Sequence, residues 1–217
     1  MNPLVIIGIL GALALVGGVV VSSSSVDTSK FTKPSGHKVG AVGWVETDPR
    51  ELADSAGAPL DTYALASMIR SEAGGSTVTQ LACGWTAKNK AEARGISIFE
   101  LLIIAGRNEP GTNRLNRHPS YGFFASQNVG PRYAATDEAP TVDDLKLAQQ
   151  IIDEEIPDPT GGCTQFDAPK AQRKLLAAAT PGYEKTPEEL AEERSKNATL
   201  VKVPGVTSTR FWRPKNA

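Results

Sequence analysis

Two kinds of hydrophobic pattern follow one another along this chain. The first is continuous: Leu4 to Val21 reads LVIIGILGALALVGGVVV, with no charged residue. A helix of that length matches the hydrocarbon thickness of a bilayer. The second is periodic. Leu65, Met68 and Ile69 recur at i, i+3 and i+4, the spacing of one buried helical stripe, and Glu72 falls at i+7 on it. A carboxylic acid thus occupies a position that the pattern reserves for the core, just before Gly74-Gly75 ends the helix.

The rest of the periodic part reads as short helices joined by loops. Asp48 before Pro49 is an N-cap followed by proline at the first helical position. Asp61 or Thr62 caps the helix that carries Glu72. Ser76 or Thr77 caps the next, whose apolar face is Val78, Leu81, Ala82 and Trp85 and which ends near Arg94-Gly95. Ser97 caps a third over 98–105, ended by Gly106. Thr141 and Asp144 have capping-box spacing and open a helix with Leu145, Ala148 and Ile152 on one face, stopped by Pro157. Asp158-Pro159-Thr160-Gly161-Gly162 is a tight turn, and 164–166 a brief extended segment. Pro187 to Lys196 reads as a charged surface helix. Residues 107–140, rich in Gly, Pro, Asn and aromatics, form a long irregular region of the kind that carries function in compact domains. The expected class is mainly α, one domain, with minimal strand.

The apolar run differs from a cleaved signal peptide in lacking a basic start and a short core. It favours a retained anchor, in which the small-xxx-small spacings Gly8/Ala12 and Ala14/Gly18 permit close helix approach and self-association. Lys30, Lys33 and Lys38 all lie C-terminal to the run and by the positive-inside tendency hold the downstream chain on the cytoplasmic side. Ser22 to Ser25 and the polar stretch after them read as a linker. The expected organisation is an anchor at 1–25, a flexible linker at 26–47, a folded domain at 48–183 and a C-terminal extension at 184–217. In that extension Phe211 and Trp212 are expected to dock on the domain.

Composition narrows the chemistry. Of 217 residues 40% are hydrophobic and 22% charged, and the net charge of −1 gives no reason to expect nucleic acid as partner. The two cysteines, Cys83 and Cys163, form no CxxC pair; one disulfide and two buried thiols are both open. With only two histidines and two cysteines, neither a metal site nor a cofactor is expected. No nucleophile elbow and no phosphate loop is present. There remain Glu72 and the loop containing Arg107-Asn108, Asn113-Arg114, Asn116-Arg117-His118 and Tyr121 to Asn128. A buried carboxyl kept protonated near neutral pH serves as a general acid; a Glu that ends a helix and turns to solvent does nothing. Amides, Arg forks and aromatic faces suit a groove for an amidated sugar polymer. The same residues also suit a core Phe pair with a solvated polar cluster.

The order Tyr63 to Gly75 (YALASMIRSEAGG), then Phe124-Ala125-Ser126-Gln127, then Asp158 to Phe166 (DPTGGCTQF) resembles the spore-cortex-lytic type of cell-wall hydrolase over residues 60 to 170. That resemblance implies a lysozyme-like helical domain, akin to goose-type lysozymes and lytic transglycosylases. It implies Glu72 as catalytic acid, and Tyr121, Gln127, Asn128 and Phe166 as substrate-binding residues on peptidoglycan glycan strands. The chain departs from the family pattern at Asn89-Lys90, where an Asn-Arg pair is usual, and at Cys163, where Ala is usual. Glycosidases commonly use two carboxylates, yet Glu92, Glu100 and Glu109 lie on no apolar face. A lone Glu72 fits lytic transglycosylation, in which the substrate's own C6 hydroxyl closes a 1,6-anhydro ring. The anchor and its charge orientation fit a phage virion protein that opens the wall during genome delivery; a bacterial envelope enzyme is the other source. The competing class is a non-catalytic, membrane-anchored peptidoglycan-binding or structural virion protein, associating with other virion proteins through the anchor.

Overall fold

A computed structural model describes residues 26–36, 48–72, 76–104, 139–177 and 185–216. The described chain is mostly helical. Helices α1 (Pro49–Ala56), α2 (Leu60–Glu72), α3 (Thr77–Arg94) and α4 (Val142–Ile152) make the body, with a π-helical turn at Glu100–Ile104. β1 (Gln165–Asp167), α5 (Pro169–Ala177), α6 (Pro187–Asn197), β2 (Ala198–Val201) and β3 (Arg210–Pro214) come next. Among the described residues no helix is long and apolar enough to cross a membrane; the run at 4–21 lies outside them.

Most helix ends form as the sequence predicts. Asp48 accepts from the Arg50 amide at 2.8 Å, and α1 closes on Gly57 in the left-handed conformation. The Ser97 hydroxyl accepts from the Glu100 amide at 3.0 Å. Thr141 and Asp144 complete their capping box in both directions. Two expectations are corrected. Helix α2 begins at Leu60, ahead of both predicted caps, and Asp61 and Thr62 are used elsewhere. Asp61 accepts from the Phe99 amide at 2.8 Å, and Thr62 donates to the Gln149 side chain at 2.6 Å. On α3 the predicted face holds at Ala82 and Trp85, which are buried, and at Leu81, which packs on the core, but not at Val78. Val78 is 40% exposed at the first turn, whereas Ala82, Cys83, Trp85, Ala87 and Ala91 are buried. Gly84 lets α3 approach its neighbours closely. A Cβ there would stand 2.6 Å from Ile151 Cδ1 of α4 and 3.1 Å from Ile69 Cδ1 of α2.

The two segments expected to flank the domain are part of it. Residues 26–36, expected as linker, form a strap on α1. Phe31 is 5% exposed within the core, the Thr32 amide donates to the Ala56 carbonyl at 3.0 Å, and the Ser35 amide to Ser55 Oγ at 3.0 Å. An aromatic between polar neighbours carries no periodicity, so its burial leaves no pattern to read. Residues 184–217, expected as an extension, supply two strands of a three-stranded antiparallel sheet of order β1-β3-β2. Its register sets Phe166 opposite Phe211 and Leu200 opposite Trp212. Phe211 is fully buried, in keeping with the expected docking, and Trp212 nearly so. Cys83 and Cys163 are both buried, and they form no disulfide.

Candidate functional site

Helix α2 is the most enclosed element described. Ala64, Leu65, Ala66, Met68 and Ile69 have no solvent exposure, so the apolar positions of the predicted stripe, Leu65, Met68 and Ile69, are buried together with their flanks. Burial also pushes the Tyr63 hydroxyl up to about 12, against the opposing effect of Ser67 one turn on. Glu72 is the last residue of α2. Its side chain, like residues 73–75, lies outside what the structure describes.

The Asp158–Cys163 turn is tied together by one carboxylate. Asp158 Oδ1 accepts from the Thr160 amide and hydroxyl, both at 2.7 Å. Oδ2 accepts from the Gly162 amide at 2.8 Å and from Asn89 Nδ2 of α3 at 3.0 Å. Asn89 also donates to the Cys163 carbonyl at 3.2 Å, and the buried Thr160 hydroxyl accepts from the Cys163 amide at 3.2 Å. Partial burial works against the Asp158 charge, but the donors from Thr160, Asn89 and Gly162 outweigh it and hold the carboxyl below the ordinary carboxylate range. Glycines at 161 and 162 are required because both have positive φ, 59° and 89°. From outside, Arg213 Nη1 donates to the Gly161 carbonyl at 3.2 Å. Burial pushes the Cys163 thiol up to about 11, so it is not a poised nucleophile.

This turn and Glu72 sit at different levels of the helix pair. Gly84 of α3 faces Ile69 of α2, and Phe99, beyond the end of α3, meets Asp61 at the start of α2, so the helices are antiparallel. At 1.5 Å per residue, Asn89 lies about 7.5 Å from the Gly84 level and Glu72 about 4.5 Å the other way, an axial separation of ~12 Å. The offset is one of backbone levels along the helix pair; the Glu72 side chain and residues 73–75 lie outside the described residues.

Two polar centres went unread in the sequence. Lys88 is nearly buried, with its ammonium 2.5 Å from Glu92, 2.8 Å from Glu154 and 5.0 Å from the Trp85 ring centroid. Burial lowers its proton affinity, and Glu154 and Glu92 more than restore it. The i, i+3 and i, i+4 spacings of Trp85, Lys88 and Glu92 were the available signal. Asp167 at the end of β1 accepts from Arg194 at 2.5 Å, from Arg210 Nε at 2.8 Å, from Arg210 Nη2, and from Trp212 Nε1 at 2.6 Å. That carboxylate joins β1, β3 and α6; nothing local in the sequence points to it. A hollow beside α6, lined by Lys185, Glu189, Glu192, Glu193 and Lys196, is wide open and of mixed charge.

Of the predicted site residues, Tyr121, Gln127 and Asn128 lie in 105–138, outside the described residues, and only the backbone of Glu72 is described. Phe166 is half-buried on β1. Its ring stands 6.1 Å from that of Phe211, tilted by 43°, and it packs on the main core. Compared with family models, with curated proteins and with solved structures, the chain finds no match.

Proposed function

We propose that this chain is a peptidoglycan-cleaving glycosidase that cuts between N-acetylmuramic acid and N-acetylglucosamine as a lytic transglycosylase, with Glu72 as its one acid and base. The observation that carries the reading is the place of Glu72 as the terminal residue of the most enclosed helix. A carboxyl there meets the negative end of the helix dipole, which favours the neutral acid that the first step needs. Glu72 gives its proton to the glycosidic oxygen as the bond to the anomeric carbon breaks. The resulting carboxylate takes the proton of the C6 hydroxyl as that oxygen bonds to the anomeric carbon. The products are a 1,6-anhydro end and a free hydroxyl, and the acid is restored. Residues 4–21 hold the enzyme at a membrane, and the setting is a phage virion that opens the wall during genome delivery.

One observation favours the non-catalytic alternative, a membrane-anchored binding or structural protein. Every described contact of the Asp158 carboxylate is internal to the fold, so that motif is accounted for without a substrate. Purified sacculi separate the two readings. Wild type is expected to release anhydro-muramyl products, and Glu72→Gln to release none while keeping its circular dichroism. Reducing ends in place of anhydro ends would make the enzyme a hydrolytic muramidase. Full activity in Glu72→Gln would sink the role of Glu72, and no clearing by wild type on a peptidoglycan gel would leave the binding protein.

A further inference from the structure

The strap turns a long linker into a short one. Had 26–47 been flexible, the chain from Val21 to Asp48 would span about 29 Å on average and up to ~95 Å at full stretch. The first residue fixed to the domain is instead Val26, which packs on the core, followed by Phe31 inside it. Only Ser22 to Ser25 separate Val26 from the apolar run. Five peptide steps reach at most ~18 Å. We infer that the folded domain is held against the bilayer that accepts residues 4–21, with the strap and α1 turned to the lipid headgroups. The inference rests on the membrane-anchor part of the proposed function and is independent of any catalysis.

The partner surface is lipid, and the tether imposes the contact; charge does not. Lys30 pairs with Asp27 at 3.3 Å and Arg50 with Asp48 at 3.7 Å, and Glu51 and Asp54 offset Lys33. Such a face has no preference for anionic headgroups, which a basic patch would have. The consequence for the proposed enzyme is reach: it works on polymer lying next to the membrane.

The test uses the full chain with Lys33→Cys in phosphatidylcholine vesicles. Cys83 and Cys163 are buried, so the added thiol on the strap takes a fluorescent label selectively. Energy transfer to headgroup-labelled lipid is measured in that form and in one with a Gly-Ser spacer inserted between Ser25 and Val26. The unspaced form is expected to show strong transfer, unchanged when anionic lipid is added, and a spacer of about twenty residues to cut it roughly two-fold or more. Weak transfer in a carbonate-resistant, unspaced protein would overturn the apposition while leaving the anchor standing. Equal transfer with and without the spacer would overturn it too. Extraction by carbonate would remove the anchor reading and this inference together.

Discussion

Removing the Asp158 carboxylate tests the turn that it organises. In Asp158→Ala four donors lose their acceptor, with unequal consequences. Asn89 keeps the Cys163 carbonyl, and Gly162 is only partly buried. Thr160 is fully buried, so its amide and hydroxyl hydrogens are left without water or partner. A stranded buried donor costs about 1–3 kcal/mol, and bonds to a charged acceptor are the stronger kind, so the loss comes to about 3–5 kcal/mol. Asp158→Asn retains one acceptor oxygen and is expected to lose about 1.5–3 kcal/mol. The pH dependence follows from the lowered carboxyl. A group whose folded pKa lies below its unfolded value stabilises above the unfolded pKa, about 3.9 for Asp, and loses that contribution as pH falls through the folded value. The gap between wild type and Asp158→Asn is therefore full at pH 6 and closes below about pH 4. Urea midpoints at constant m-value, taken from pH 3 to 7, read both effects. A loss under ~0.5 kcal/mol for Asp158→Ala, the level of an ordinary surface change, would refute the reasoning.

Three further outcomes are expected. Gly84→Ala drives a methyl into Ile151 and Ile69 and lowers stability by about 1–3 kcal/mol in urea melts, although alanine is the better helix former. Asp167→Ala leaves Arg194 and Arg210 facing each other without their shared acceptor; a loss of about 3–5 kcal/mol, with a red shift of tryptophan emission from Trp212, is the result to look for. Burial, reinforced by Arg94 and Arg194, brings the Lys90 ammonium from 10.5 down to about 8. The unfolded chain then binds more protons between those values, so stability rises with pH across that window; Lys90→Met is expected to flatten the rise in a pH series of melts.

The parts of the fold that the sequence made legible are those in which local chemistry and tertiary position agree. The caps at Asp48, Ser97 and Thr141 and the glycine stop at Gly95 rest on contacts within a few residues, and the stripe on α2 shows in the sequence as a helical period. Legibility fails where a residue is claimed by something distant. Asp61 and Thr62 look like caps because their type suits one, yet their partners lie 38 and 87 positions away. Gly84 reads as a weak spot in a helix until α4 is brought against it. The extended segment at 164–166 was readable and forms β1, whereas the strap, β2 and β3 were not, because a lone Phe31 and strands of four and five residues are too short to show a period. At the candidate site, the turn at 158–162 was readable from its residue types, and its attachment to Asn89 was only a departure from a family pattern. Its ~12 Å offset from Glu72 along the helix pair needed the pairing of α2 with α3, which no single segment encodes.

The order β1-β3-β2 also governs when this protein can finish folding. The middle strand is the last one synthesised, so β1 and β2 leave the ribosome with no one to pair with until residues 210–214 appear. At 5–20 residues per second, β1 waits several seconds with its edge exposed. Closure then pairs β3 with β1 across a long sequence separation, a non-local contact of the kind that slows folding. A nascent chain stalled before Arg210 would present unpaired strand edges and an uncovered Phe166, which chaperones recognise and proteases cut.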